Sequence, residues 1–323
     1  MSSSRDELER LARLRALFLD VERGNAALPG YWRDEGDLAA YDAVLAERIG
    51  WKWDAALAEC AERGWPRDDS ALVLDWGCGS GVAARRFAAR FGAREIVCHD
   101  RSPQAMDFAA RRLAECCPAI PVRSARRLDG LNPDVLLVSH VLGELDARGE
   151  LELREIAARS RAVLIVEPGT REVARRLSAL RDQLAERFRV LAPCTHEAAC
   201  PALATPHDWC HFFAPPPPEV FTDGDWVRTA RDLGIDLRAL PYSFLALRDR
   251  SRQMTPPPAQ GGSARVLGRP AVGRRSARLH VCDADGLRTV EVEKRESAAL
   301  FRTLDKKPQR VRLWPHEPPT HEL

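Results

Sequence analysis

The stretch Leu72-Val73-Leu74-Asp75-Trp76-Gly77-Cys78-Gly79-Ser80-Gly81 constrains the fold of this chain more than any other. Leu72 to Leu74 are apolar and suit a strand covered on both faces. Gly77, Gly79 and Gly81 let the backbone turn tightly and bring its N–H groups close to a ligand. Val82 to Arg90 then reads as a helix whose N-terminus faces that ligand. A second strand, Arg94 to His99, ends at Asp100, roughly 20 residues after the glycines. At that spacing an acid reaches ribose hydroxyls in nucleoside-binding α/β folds. Asp100 also suits the N-terminus of a helix from Ser102 onward.

The pattern D-x-G-x-G-x-G differs from the dinucleotide fingerprint, where the third glycine comes one residue later. With its acid at the strand end, it resembles the first motif of the class I S-adenosylmethionine-dependent methyltransferases. That ligand has no phosphate, so the turn need only cradle a carboxypropyl chain and a ribose. The resemblance implies that Asp75 takes the ammonium of S-adenosylmethionine, directly or through water. Gly77, Gly79, Gly81 and Asp100 complete the cofactor-binding set.

From Ser70 the chain alternates strand and helix, as a doubly wound sheet requires. Strands are expected at 71–75, 95–99, 120–123, 134–139 and 162–167, and helices at 82–91, 103–115 and 149–160. A long helix is expected from Glu172 to Phe188, and a sixth strand at Tyr242 to Leu247. Before the glycine turn, Leu8, Leu11, Leu14, Leu17 and Phe18 recur at helical spacing. Asp37 to Ile49 and Trp51 to Arg63 read as two more helices, packed beside the glycine-turn domain or capping its pocket. Tyr31, Trp32, Trp51 and Trp53 read as packing residues. After the fourth strand comes Ser139-His140-Val141-Leu142-Gly143-Glu144-Leu145, where this fold places its acceptor substrate. No N/D/S-P-P-aromatic motif stands there, and no cysteine nucleophile lies near. His140 and Glu144 are the candidate acid–base groups, with hydrogen-bonded structural roles as the alternative.

The formal charge of the 323-residue chain is only +2, so its overall balance favours no nucleic acid. Arginine dominates its basic residues; lysine occurs only at Lys52, Lys294, Lys306 and Lys307. No apolar run is long enough to span a membrane. Met1 to Glu9 carries Asp6, Glu7 and Glu9 and lacks an apolar signal core, so a cytoplasmic bacterial protein is expected. Nine cysteines there should be reduced, which turns attention to clustered ones. Cys60, Cys78, Cys98, Cys116 and Cys117 fall within or beside regular elements and read as small buried residues.

Cys194, Cys200 and Cys210 differ, because they stand in proline-rich loop sequence that can fold around an ion. Thiolates bind soft or borderline metals, so zinc and iron–sulfur clusters are the candidates. The spacing is neither C-x-x-C nor the usual ferredoxin run. The fourth ligand is Cys282, the only remaining cysteine outside the α/β domain, or one of His196, His207 and His211. Sequence distance does not disfavour Cys282, since closing a longer loop costs little more entropy.

The run Pro193-Cys-x-His196-x3-Cys200-Pro201 is followed by Asp208-Trp-Cys-His-Phe212. Together they closely resemble a family of methyltransferase-like proteins of the small ribosomal subunit, which includes a mitochondrial assembly factor and bacterial relatives. Leu72 to Gly81, Ser139 to Leu145, Tyr242 to Arg248, Arg265 to Arg269 and Leu313-Trp314-Pro315 match the same family. The resemblance spans roughly residues 25 to 316. It implies that Cys194, Cys200, Cys210 and Cys282 hold a [4Fe–4S] cluster, that the glycine-turn domain binds S-adenosylmethionine, and that the partner is small-subunit ribosomal RNA. The chain departs from the family in having Thr195 where relatives often have proline, a long Cys200–Cys210 gap, and the run Ala214 to Pro218.

Arg248 to His280 holds eight arginines and one acid, Asp249. Such a local excess can neutralise phosphates in a nearly neutral chain. Arg265, Arg269, Arg274, Arg275 and Arg278 are the candidate RNA-binding residues. Ser251 to Ser263 reads equally as a solvated arm. Lys306, Lys307, Arg310 and Arg312 add a smaller patch.

The expected architecture is therefore α/β, a class I methyltransferase-like (Rossmann-like) sheet with additions. Residues 1–69 form an N-terminal helical cap and 70–190 the core. A cysteine-rich insertion (191–222) lies between the fifth and sixth strands, 223–250 complete the core, and 251–323 form a basic β-rich extension. The expected function is an S-adenosylmethionine-binding, [4Fe–4S]-containing protein that methylates or assembles the small subunit as a monomer. The alternatives are a non-catalytic RNA-binding assembly factor and a zinc-stapled methyltransferase of another substrate.

Overall fold

The computed structural model of the chain describes residues 4–22, 30–251 and 262–315. Most of the expected arm from Ser251 to Ser263 lies outside these residues. Helix α1 (Arg5–Glu22) leads to α2 (Glu35–Tyr41), a π turn (Asp42–Ala46) and α3 (Glu47–Glu62). The core follows as β1 (Leu72–Trp76), α4 (Val82–Phe91), β2 (Glu95–His99), α5 (Pro103–Cys116), β3 (Val122–Ser124), β4 (Val135–Ser139), α6 (Ala147–Arg159), β5 (Ala162–Pro168) and α7 (Arg171–Leu184). Next come β6 (Phe188–Ala192), β7 (Phe212–Phe213), α8 (Gly224–Asp232) and β8 (Pro241–Asp249). The chain closes with β9 (Ala264–Val272), β10 (Ser276–Asp283), β11 (Gly286–Glu293), α9 (Ala298–Lys306) and β12 (Leu313–Trp314).

The main sheet runs β3-β2-β1-β4-β5-β8-β6, with β7 added against β8. Strands β3 to β5 are parallel, and β8 enters antiparallel between β5 and β6. The strand order reverses beside β1, which opens a ligand crevice at the carboxyl ends of β1 and β4. Alternate residues of each strand feed two cores. Val73, Ile96, Leu137 and Leu164 pack under α3, α4 and α5 with Trp53, Phe87 and Met106. Leu74, Val97, Leu136 and Val163 pack under α6 and α7 with Ile156 and Leu177. Short polar side chains start the helices. Ser102 accepts from Ala105 N–H ahead of Pro103, and Asp146 accepts from Gly149 N–H. Among the described residues, no helix is long and apolar enough to cross a membrane.

Two expectations change. The helix after β5 ends at Leu184, and Phe188–Ala192 is a strand. Its ladder to β8 satisfies its backbone, and Phe188 is fully buried. Phe188, Val190 and Leu191 form a run short enough to be mistaken for a continuing helical stripe. The cysteine segment therefore follows the sixth strand in chain order and rejoins the sheet through β7, where Phe212 pairs with Tyr242. The C-terminal sheet, β11-β10-β9-β12, closes its own core around Ala277, Leu279, Val281, Phe301 and Leu304.

Candidate functional site

The glycine turn has the tight, positive-φ backbone expected of Gly77, Gly79 and Gly81, but its first N–H groups are bonded within the protein. Gly77 has φ +73°, and a Cβ there would come 2.6 Å from Val141 Cγ2. Gly81 has φ +79°, with Ala109 Cβ at 3.0 Å from a built Cβ. The N–H groups of Gly77 and Cys78 donate to His99 carbonyl oxygen, and Gly79 N–H donates to Asp100 Oδ2 at 3.0 Å. Asp100 Oδ1 accepts from Ser102 N–H. Asp100 is thus fixed by the turn and by the start of α5, and burial raises its proton affinity.

Trp76 to Ser80, Asp100 and the ends of β4 and β5 enclose a cavity of about 780 Å³. Asp75 does not reach its wall. It is fully buried and accepts from Ala84 N–H at 3.3 Å, bracing the first turn of α4. Burial pushes its carboxyl up to about 7. Its other oxygen, Oδ1, is buried with no protein partner, so one acceptor of this carboxyl is left unused by the fold.

The far wall comes from the N-terminal helices. Phe18, Tyr31, Trp32, Tyr41, Arg48 and Lys52 line it. The Tyr31 and Trp32 rings lie 4.6 Å apart, and Trp32 and Tyr41 5.1 Å. Burial and the nearby Glu144 and Asp100 raise the Tyr31 phenol. Tyr31 and Trp32, read from the sequence as packing, therefore also face the cavity. Trp53 stays in the core and donates to Ser139 Oγ at 2.9 Å.

Both candidate acid–base groups reach the cavity. His140 has φ +56°, unusual for a residue with a Cβ. Its N–H donates to Val166 carbonyl oxygen, and its Nε2 lies 3.4 Å from Lys52 Nζ. Burial and then Lys52 hold His140 neutral. Burial raises Glu144 to about 7, against the pull of Arg101 at 3.4 Å. The bend at His140 turns Val141 and Leu142 N–H groups onto Glu167 Oε1, at 2.9 and 3.1 Å. Glu167 Oε2 has no protein partner, and burial pushes this carboxyl up to about 8. Burial thus favours the protonated form of Glu167, in which the carboxyl can donate a hydrogen bond. The sequence reading missed it, although an acid ending an apolar strand was the same signal that singled out Asp75 and Asp100. Lys52 was missed too, despite being a rare lysine between two tryptophans.

The cysteine segment is held by arginines from the helices around it. Arg63 donates to the carbonyl oxygens of Leu191, Pro193 and Cys194. Arg175 Nη1 donates to those of Ala202, Thr205 and Asp208. Arg181 donates to His196 carbonyl oxygen and its charge lies beside the Cys194 thiol, while Asp182 accepts from Cys200 N–H at 2.9 Å. The fold brings the four cysteines into one neighbourhood. Burial, then Cys194, Cys200 and Cys282, raise the Cys210 thiol; burial, then Cys194 and Cys200, raise Cys282 to about 12. His196 Nε2 lies 3.9 Å from Cys282 Sγ, whereas His211 stacks on Trp209. Among the described residues, no three His, Cys, Asp or Glu side chains converge tightly enough for one metal ion. A lone zinc needs sulfurs at about 2.3 Å from a single point. Four cysteine thiolates are the donor set of a cubane cluster, and of these Cys194 lies beside Arg63 and Arg181.

The basic candidates divide. Arg265 does not face solvent. It is 3% exposed, paired through both nitrogens with Glu59 and lying 4.2 Å over the Phe212 ring. It serves as a latch between the C-terminal sheet and α3, so it is withdrawn from phosphate contact. Arg269, Arg274, Arg275 and Arg278 are exposed.

A family model described as mitochondrial small ribosomal subunit Rsm22 matches residues 53–308, well over half of the chain. No curated protein matches. Solved structures resemble the chain weakly. An rRNA methylase from Streptococcus thermophilus is 12% identical, covering 60% of this chain and 93% of its own, with TM-score 0.35. The plantazolicin methyltransferase BamL, crystallised with S-adenosylhomocysteine, is 11% identical over 74% and 97%, with TM-score 0.40. TrmK of M. capricolum, also with S-adenosylhomocysteine, is 9% identical over 60% and 68%, with TM-score 0.34.

Proposed function

The chain belongs to the family of mitochondrial small ribosomal subunit Rsm22, and on that premise we propose that it is an S-adenosylmethionine-binding, methyltransferase-like factor. In this reading it carries a [4Fe–4S] cluster and works on the small ribosomal subunit through its RNA. The observation that carries the first part is the cavity of about 780 Å³ at the glycine turn and Asp100. Its size lies within the range of pockets that enclose small ligands. Asp100 is the ribose partner, and the rings of Tyr31 and Trp32 flank the ligand and exclude water. When bound, S-adenosylmethionine would supply an electrophilic methyl group.

Cys194, Cys200, Cys210 and Cys282 would hold the cluster. Their shared neighbourhood supports this, as do the guanidinium groups of Arg63 and Arg181 beside Cys194. The cluster would tie the 191–222 segment to β10 and so shape an RNA-facing surface with Arg269, Arg274, Arg275 and Arg278. The protein would act as a single chain in a bacterial cytoplasm, a compartment that keeps thiols reduced.

A second reading, methyl transfer to an rRNA base, is favoured by the convergence of Lys52, His140, Glu144 and Glu167 on the same cavity. There Lys52 and neutral His140 would hold or take a proton, and Glu167 Oε2–H would orient the acceptor. Calorimetry with S-adenosylmethionine tests the main reading. The native protein is expected to bind, and Asp100→Ala to bind about tenfold more weakly through the lost charge-assisted hydrogen bonds. Absence of binding by the native protein overturns it. Tritium transfer from labelled cofactor to small-subunit RNA, lost in Glu167→Leu, would establish the second reading.

A further inference from the structure

Beyond the cysteines, residues 209–213 carry a feature that the function above leaves unused. Phe212 enters the core, while Trp209, His211 and Phe213 keep part of their surface in solvent. The rings form a row. Trp209 and His211 stack at 4.8 Å with 18° between their planes, and His211 meets Phe213 edge-on at 5.7 Å. Arg269 lies 4.2 Å over the Phe213 ring and donates to Arg238 carbonyl oxygen.

The hairpin is shaped for this contact. The register of β9 on β10 shifts between Arg278 and His280, a bulge that re-aims Arg269. Gly268, within that bulge, donates to His211 carbonyl oxygen, and a Cβ there would come 3.1 Å from His211 Nε2. Beyond Arg269, the exposed Arg274, Arg275 and Arg278 continue the positive charge, with Glu291 opposite Arg278 the facing acid. At the other end, Trp209 Nε1 donates to Gly169 carbonyl oxygen at 3.1 Å, next to Pro168 of the cavity wall.

We propose that Trp209, His211 and Phe213, with Arg269, form a stacking platform for single-stranded RNA that leads from the basic hairpin to the mouth of the cavity. The inference rests on the reading of RNA as the partner and adds the form of RNA taken. Aromatic rings accept the faces of unpaired bases, which a duplex keeps stacked within itself, while neighbouring arginines track the phosphates. The row's rigid packing also lowers the ordering cost of binding.

The test is fluorescence anisotropy with native protein purified without oxygen, using a labelled oligouridine and an RNA duplex of matching length. Phe213→Leu and Trp209→Leu are each expected to weaken oligouridine binding about tenfold, the loss of roughly one base–aromatic stack. Trp209→Phe should retain most of the affinity, and the salt dependence should stay unchanged because no cation is removed. Phe213→Leu carries the test if Trp209→Leu disturbs Cys210, with metal content measured on every variant. Unchanged oligouridine affinity in both leucine variants overturns the platform, as does tighter binding of the duplex. Failure of the native protein to bind either RNA overturns the RNA reading itself and this inference with it.

Discussion

At the glycine turn, the ligand-facing backbone comes from one continuous stretch, and its supports are the neighbouring strand and helix. At the cysteine segment, three thiols come from one loop and the fourth from the distant strand β10, and the supports are long arginine side chains reaching across from helices. The first region is a local device set into a rigid parallel sheet. The second is an assembly, and it depends on a latch. Arg265 pairs with buried Glu59, and burial opposes this charge while Arg265, Arg63 and Arg312 pull the carboxyl below its usual range. The assembled region should therefore open without disturbing the cavity, and damage to the turn should stay within the cavity.

The largest effect is expected from breaking the latch. Glu59→Ala leaves Arg265 buried and unpaired, at a cost of about 3–5 kcal/mol. Denaturant unfolding should then show the C-terminal sheet releasing before the core. A single unshifted transition would contradict the latch. Slightly smaller is Gly77→Ala, where positive φ and the approach to Val141 together cost about 2–4 kcal/mol. Calorimetry should find cofactor binding lost while the reactivity of the four thiols is retained.

A third prediction uses pH within the cavity. Glu167 is raised from 4.5 to about 8, so the folded chain holds this proton more tightly than the unfolded one. Its stabilising contribution is complete below pH 4.5 and is lost as pH rises through about 8. Asp75, raised to about 7, acts in the same direction. Glu167→Gln should equal the native protein near pH 4 and exceed its stability increasingly as pH rises through about 8. Thermal unfolding across that range checks it, and parallel curves for the two proteins would refute the assignment. The smallest effect belongs to the exposed arginines. Arg275→Ala should lower the slope of log affinity against log salt by about 1, with little sequence preference in the loss. An unchanged slope would remove Arg275 from the RNA face.

The same contrast governs how much was legible in the sequence. The glycine turn, Asp100 and the core strands could be read because local spacing dictates them. That Asp75 also braces α4 through Ala84 N–H was not legible, because its position in the motif says nothing of where its side chain turns. Phe188–Ala192 was missed because a short apolar run fits a helix or a strand until a partner strand is known. Arg265 looked like its basic neighbours, and only the packing of α3 against β9 reveals Glu59 as its partner. Tyr31, Trp32, Lys52 and Glu167 come together from elements far apart in the chain, so no local pattern announces their shared cavity. The residues of the aromatic row were visible, but the ring contacts that align Trp209, His211 and Phe213 are tertiary and leave no local pattern.

The measurement that bears most directly on the account is metal and sulfide analysis of native protein purified without oxygen, beside Cys282→Ser. The native protein should be brown, with about four irons and four acid-labile sulfides per chain. Cys282→Ser should lose the cluster and weaken RNA binding while the α/β core stays folded. A colourless protein with one zinc, or full iron retained in Cys282→Ser, would contradict it.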